Sequence, residues 1–519
     1  MPRPFLSSEV HLDVASGRER FPQAASPESS FRIALLGDFS GRANRGLFET
    51  RPALGRRRII PVDRDSFGEI LERAGASLQI PLEGPQGPSL SLHFKELDDF
   101  HPDQLFQRVS IFAKLRELRE RLANPSTFAK AAEELGIAPA PAAAPETGRT
   151  SSRPRSVALD PSRLASGSLL EDLIEQSESQ PAHVQRPDEL QEFIRRVVAP
   201  HLAPDADPRQ PQALARIDRT TSLLMGALLH HPDFQALEAA WRGVFFLARR
   251  METGPQLRLC LIDISKAELA ADLSSQQDLE STGIYKLLVE QTVRTPGAEP
   301  WAVLAANYTF EPTRADAELL GRIAQTASAA GAPFLAAAST GVVGCESIAQ
   351  LPNPREWKPA SETEDAKAWR ALRKLPEVTY LGMALPRFLL RLPYGKDTDF
   401  AEHFDFEEML DPPVHEDYLW GNPALACVLL LAQAFSASGW NMRPGESSEI
   451  TGLPLHLYRV DGEFQEKPCA ETLLTVEAAD RILEKGVMPL ASLKGRDAAR
   501  LVRFQSMADP IRALSGRWA

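Results

Sequence analysis

The chain has 519 residues, 43% of them hydrophobic and 25% charged, with 58 lysines and arginines against 70 acids and a net charge of −12. This length exceeds one ordinary core and calls for roughly two to four domains, and the composition is that of a soluble globular protein. The acidic balance argues against general nucleic-acid binding and against a role on an anionic membrane. Cys260, Cys345, Cys427 and Cys469 have no Cys-x-x-Cys spacing, which suggests neither a zinc site nor a disulfide framework. The N-terminus lacks a signal-peptide run, and the longest apolar stretch, Ala424 to Ala432, is shorter than a bilayer crossing requires. A cytoplasmic location without membrane insertion is expected.

Residues 9–17 alternate apolar and polar side chains through Val10, His11, Leu12, Asp13 and Val14, as an exposed strand does. The polar stretch 18–30 sets them apart as an arm. Phe31 to Arg42 reads as a buried strand running into a glycine-bearing turn. Gly37 and Gly41 raise a phosphate-loop reading, but no Gly-Lys-Ser/Thr follows, and nucleotide binding is set aside. Arg56, Arg57 and Arg58 precede Ile59-Ile60-Pro61-Val62 and read as a solvated face. Ser66 and Glu69, three apart, suit a capped helix. Strands are expected at 78–82 and 89–94, joined by a Gly-Pro turn. Pro102 and Asp103 mark a helix start, and Val109, Phe112, Leu115, Leu118 and Leu122 form a helical stripe. Residues 137–167 are Ala/Pro-rich, then Ser/Arg/Pro-rich, and read as a disordered linker. A short amphipathic helix follows at 168–176, with Leu169, Leu170, Leu173 and Ile174 on one side.

The most regular stretch is 217–250. Ile217, Leu223, Leu224 and Leu228 outline one helix, and His230-His231-Pro232 breaks it. Asp233 favours the start of a second helix, along which Phe234, Leu237, Trp241 and Val244 line one apolar face. That face reads as core, with Glu238 and Arg242, four apart, pairing on its flank. Strands at 257–265, 297–310 and 333–338 alternate with helices at 266–273, 284–293 and 315–331, which predicts an α/β layer with mixed sheets flanked by helices. The expected division is 1–136, a linker at 137–167, a helical part at 168–250 and an α/β part at 251–519.

Chemistry is sparse. Arg387 and Arg391 flank Phe388-Leu-Leu, with Glu407, Glu408, His415, Glu416 and Asp417 nearby in sequence. His403 and His415 are not spaced as ligands, and the adjacent His230 and His231 would face different sides of a helix. No Gly-x-Ser-x-Gly, His-Glu-x-x-His or dinucleotide fingerprint occurs. No catalytic, cofactor or metal residue is assigned, and Arg387 or Arg391 is expected as a buried arginine paired with an acid.

Asp218-Arg-Thr-Thr-Ser222 followed by His230-His-Pro-Asp-Phe-Gln-Ala-Leu-Glu-Ala-Ala-Trp-Arg-Gly243 resembles the large sheath subunit of type VI secretion systems. So do Tyr380 to Gly395 and His415 to Pro423, in a collinear match from about 168 to 510. Gly37-Asp-Phe-Ser-Gly-Arg42, Val62-Asp-Arg-Asp-Ser-Phe67 and Leu97-Asp-Asp-Phe-His-Pro-Asp103 resemble the small sheath subunit over 9–136. The resemblance implies a multi-domain, contractile-tail-sheath-like fold with both subunits fused, expected as two lobes in contact. Its implied partners are sheath subunits (itself or full-length paralogues), an inner tube protein, an AAA+ disassembly ATPase and the baseplate, without cofactors. It also implies that 168–176 docks the ATPase, against the plain alternative of a helix packed on its own domain, and that 9–17 is a strand-exchange arm. Large subunits continue beyond the stretch matching Arg503 to Pro510, where exchange strands are expected. Two readings follow: a fused protomer of the contracting sheath, or a sheath-derived accessory protein that caps, terminates or regulates assembly and forms no long tubes alone. An enzyme with an unrecognised site is a third.

Overall fold

The computed structural model describes residues 29–49, 53–81, 89–134, 209–274, 278–358, 362–410 and 412–518. The expected arm at 9–17, the linker at 137–167 and the helix at 168–176 lie outside these residues.

In chain order the elements begin with β1 (Phe31–Gly37), β2 (Ile59–Val62), α1 (Phe67–Ala74), β3 (Ser77–Pro81) and β4 (Ser89–His93). Four helices follow before the gap and just after it: α2 (Pro102–Arg108), α3 (Ser110–Ala123), α4 (Pro125–Glu134) and α5 (Arg209–Leu229). Next come α6 (Pro232–Arg250), β5 (Leu257–Asp263), α7 (Lys266–Ser274), a π-helical turn (Lys286–Arg294), β6 (Val303–Phe310), α8 (Arg314–Ala330) and β7 (Phe334–Ala338). The last part holds α9 (Glu364–Arg373), β8 (Leu381–Leu385), β9 (Phe388–Leu389), β10 (Trp420–Gly421) and α10 (Pro423–Ser438). It closes with β11 (Glu449–Thr451), β12 (His456–Val460), β13 (Glu463–Lys467), α11 (Val476–Glu484), β14 (Val487–Ser492) and β15 (Ala498–Leu501).

One nine-stranded sheet organises them, in the order β11-β15-β14-β8-β7-β6-β1-β5-β2. Six neighbouring strands, β14 to β5 in that order, are parallel; β2 and β15 run antiparallel to them at the two ends, and β11 pairs antiparallel with β15. Parallel strands are covered by helices on both faces, so they read as continuous apolar runs. β1 illustrates this: Phe31, Ile33 and Leu35 enter one core while Ala34 and Leu36 enter the other.

The boundary near residue 136 therefore separates two sequence matches and not two sheets. β1 lies between β5 and β6, paired with Leu257–Asp263 on one side and Val303–Ala306 on the other. The expectation of two lobes in contact understates this, because the two segments are interleaved.

α6 is set by its first residues. His231 is the N-cap, its Nδ1 accepting from Asp233 N at 3.3 Å, and Pro232 occupies the first turn. The same His-Pro-Asp device starts α2, where His101 Nδ1 accepts from Asp103 N. Burial holds the His231 imidazole below its usual range, in keeping with an acceptor nitrogen. By contrast Ser66 caps α1 without any side-chain hydrogen bond, so the capping pair expected there does not form.

α10 is apolar all round and buried almost throughout, as a helix without a polar face must be. Extended through Asn441 it is longer than the apolar run read from sequence and long enough by composition to cross a membrane, yet 72% of it is buried within the protein. Gly243 allows its approach to α6, since a Cβ there would lie 2.5 Å from Leu425 Cδ1.

Candidate functional site

Three polar clusters tie distant parts of the chain together. The first lies at the carboxyl ends of β1 and β5. Asp263 accepts from Phe39 N (2.8 Å), Ser40 N (3.2 Å) and Ser40 Oγ (2.8 Å). The two N–H groups are backbone donors a phosphate would need at this turn, and a carboxylate of the same chain occupies them. Gly41 serves close packing there: its φ is +75°, and a Cβ would fall 2.2 Å from Ser77 O. Beside it, fully buried Glu268 receives Arg42 through Nε (3.1 Å) and Nη2 (3.0 Å) and Arg57 through Nη2 (3.3 Å). Burial alone would raise the Glu268 carboxyl, but Arg42 and the backbone donors of Ser265 and Glu49 leave it below its usual range. Trp241 Nε1 donates to Phe39 O at 2.7 Å, and Asn44 Nδ2 to Asp233 Oδ2 at 2.8 Å. Further along, Arg119 on α3 pairs with Asp218 on α5 at 2.5 Å.

The second cluster centres on Arg391, whose guanidinium is bidentate toward two carboxylates. Nε and Nη2 reach Glu238 at 2.8 and 3.2 Å, while Nη1 and Nη2 reach Glu408 at 2.7 and 2.9 Å. Arg242 adds bonds to Glu238 (2.6 Å) and to the Tyr394 hydroxyl (2.8 Å). His230 lies 3.6 Å from both Glu408 and Asp417. Burial works against the Glu408 carboxylate, but Arg391 and His230 overcome it and hold the group down to about 2. Burial also lifts Tyr394 well above the phenol range.

A third, more open group continues from it. Arg387 binds Glu471 through Nε (2.9 Å) and Nη2 (2.5 Å), and Glu416 at 3.2 Å. His415 Nε2 faces Glu471 at 3.2 Å, and Lys467 Nζ donates to His415 Nδ1 at 2.6 Å. Burial lowers Lys467 to about 8 despite Glu471 and Glu416. A cavity of about 170 Å³ opens beside Arg387 and Glu471, too small for an ordinary metabolite. These acids and bases pair with one another and so fix the backbone segments that carry them. Among the described residues no three His, Cys, Asp or Glu side chains are grouped to hold a metal ion, and all four cysteines are buried and free.

Residues 211–508 match the VipB family (EvpB/VC_A0108, tail sheath N-terminal domain), and 19–135 match the VipA family of type VI secretion systems (VC_A0107 or Hcp2). The chain belongs to the VipB tail sheath family. It also carries a VipA-type segment ahead of it, so both sheath subunits are represented in one polypeptide. It is 36% identical over 303 residues to the type VI secretion system sheath protein TssC1 of Pseudomonas aeruginosa, covering 57% of this chain and 61% of that protein. It is 27% identical over 131 residues to the sheath protein TssB1 of the same organism, covering 24% of this chain and 69% of that protein.

In this sheath-family fold Phe234, Leu237 and Trp241 all lie on the buried face of α6. Arg391 is buried between Glu238 and Glu408, whereas Arg387 is partly exposed above Glu471. Leu169, Leu170, Leu173 and Ile174, and Val10 to Val14, are outside the described residues. Glu238 corrects the sequence reading: it pairs with Arg242, but in the core and not on a flank. A signal existed, because Glu238 sits four after Phe234 and three before Trp241, on the apolar stripe itself. Glu268 and Asp263 gave no such signal, since their partners are more than 200 residues away.

Proposed function

We propose that the chain is a structural subunit of a type VI secretion contractile sheath, a fused protomer that assembles around an inner tube protein in the cytoplasm and contracts to drive its ejection. The observation that carries this is β1, a strand of the VipA-type segment bonded on both edges by strands of the VipB-type segment. A lattice that stores and releases free energy needs rigid bodies that change packing as units. Interleaving, with matched ionic clusters inside, supplies such a body. The same reading gives the chain no catalytic, cofactor or metal role. It takes full-length sheath subunits, an AAA+ disassembly ATPase and the baseplate as further partners. Leu169, Leu170, Leu173 and Ile174 then serve as the ATPase-docking face, and Val10 to Val14 as an arm that adds to a neighbour's sheet.

Electron microscopy of the purified full chain, alone and mixed with tube protein and ordinary sheath subunits, tests the proposal. Helical tubes, or incorporation into tubes of the ordinary subunits, are expected. A chain that stays as single particles in every mixture overturns it.

A further inference from the structure

The open cluster around His415 contains an amine in an unusual setting. Lys467 is the last residue of β13, directly across from His456 on β12, at the base of the hairpin these strands form. It is half-buried, with Nζ 5.3 and 5.5 Å from the ring centres of Tyr418 and Trp420. Glu471 and Glu416, the acids that would ordinarily neutralise it, are held by Arg387 at 2.5 and 3.2 Å, and Lys467 forms no ion pair among the described residues. Its Nζ donates instead to His415 Nδ1 at 2.6 Å.

His415 is arranged as a base for that nitrogen. Because Nδ1 accepts from Lys467, the ring proton sits on Nε2, which faces Glu471 Oε1 at 3.2 Å. Glu471 is buried and fixed by Arg387 through its Nε and its backbone N–H, both at 2.9 Å. Trp420 steadies the histidine as well: its indole donates to the His415 carbonyl at 2.9 Å, and the two rings lie 4.9 Å apart. Carboxylate, imidazole and nitrogen thus stand in the order that activates a weak nucleophile. Burial, with Arg387 close by, brings the Lys467 ammonium down to about 8 against the pull of Glu471 and Glu416. At pH 8 about half of this side chain is free amine, against roughly one part in 250 for an ordinary lysine.

We propose that Lys467 is an acylation site that takes a small acyl group from a thioester, with His415 as the base, and that its modification loosens the β12–β13 hairpin. The amine lone pair attacks the carbonyl carbon, so that a C–N bond forms and the C–S bond breaks. The proton on nitrogen passes to His415 Nδ1 and from there to the departing sulfur, which leaves an amide and a thiol. A thioester is uncharged at its reacting end, which suits a position beside Glu471 and Glu416 better than an anionic acyl phosphate does. The amide has no charge to hold over the Tyr418 and Trp420 rings. The hairpin then relies on His456 against the Tyr418 hydroxyl (2.7 Å) and on Glu466, which accepts from Gly495 N at 3.3 Å.

The uncharged acetyl thioester of N-acetylcysteamine, added to the full chain at pH 8, tests this, with the rate at each lysine read by peptide mass spectrometry. Lys367 and Lys396 are the internal standards. Both are exposed, but they are paired with Glu364 and Asp405, which raises their ammonium groups. Lys467 should be acetylated about tenfold or more faster than either, and urea should abolish the advantage. Its rate should level off above about pH 8 while theirs go on rising. His415→Gln should slow Lys467 by about tenfold or more and leave Lys367 unchanged. Amide exchange at residues 457–465 should quicken in the acetylated chain. A Lys467 no faster than Lys367, an advantage that survives urea, or a rate indifferent to His415→Gln overturns the site. Exchange unchanged after full acetylation overturns its link to the hairpin.

Discussion

Arg391 shows what a single buried side chain does here. Four of its hydrogen bonds join α6, through Glu238, to the loop that carries Glu408. Taking one member out of a buried ionic group leaves uncompensated charge and costs about 3–5 kcal/mol. Arg391→Leu should lower the urea-unfolding free energy by that amount; a loss below about 1 kcal/mol would mean that water reaches Glu238 and Glu408. The same geometry sets an acid response. Glu408 and Glu471 are both held at about 2, below their ordinary 4.5. A carboxyl depressed in the folded state gives stability that is complete above the unfolded value and is lost as pH falls through the folded one. Urea midpoints should therefore hold down to about pH 4.5 and fall between there and about 2. In Arg391→Leu the fall should be shallower, because the Glu408 share has already gone.

At the scale of elements, α6 is the hub. It presents Phe234, Leu237 and Trp241 to the core, Glu238 and Arg242 to the Arg391 cluster, and Gly243 to α10. Trp241 is fully buried, and its indole donates to Phe39 just beyond β1. Trp241→Ala should cost about 3–5 kcal/mol from lost packing, with a further contribution of about 1–3 kcal/mol if the Phe39 carbonyl finds no new donor. Because that bond reaches into the VipA-type segment, amide exchange at Leu35 and Leu36 should speed up along with global unfolding. Exchange unchanged at those positions would show that β1 is held by its strand neighbours alone.

At the scale of the whole molecule, the fused segments should behave as one body. β1 has backbone hydrogen-bonding partners on both sides, and Arg42, Arg57 and Asn44 add side-chain ties to Glu268 and Asp233. A protease site inserted within 145–160 and cut in the folded protein should leave the two fragments co-eluting from a sizing column, to be separated only by denaturant. Separate elution in native buffer would show that the covalent link, and not the shared sheet, holds the segments together.

Local pattern determined a good deal. The apolar spacing of Phe234, Leu237, Trp241 and Val244, the proline-started helices and the alternation of apolar runs with helical ones reveal α6 and the α/β layer, because burial of one helix face or both sheet faces leaves its period in the sequence. The motifs of the two sheath subunits were legible as a resemblance, carried by particular residues in a collinear order and not by a period. The tertiary structure decided how these pieces combine. Strand order is set by backbone hydrogen bonds, which carry no residue code, so nothing local announced that Phe31–Gly37 would enter the sheet between strands more than 200 residues away. Glu238 showed on the apolar stripe, but nothing local marked Glu268 or Asp263 as buried until folding brought Arg42 and Ser40 to them, because the burial of a charge depends on a partner that only the folded chain supplies.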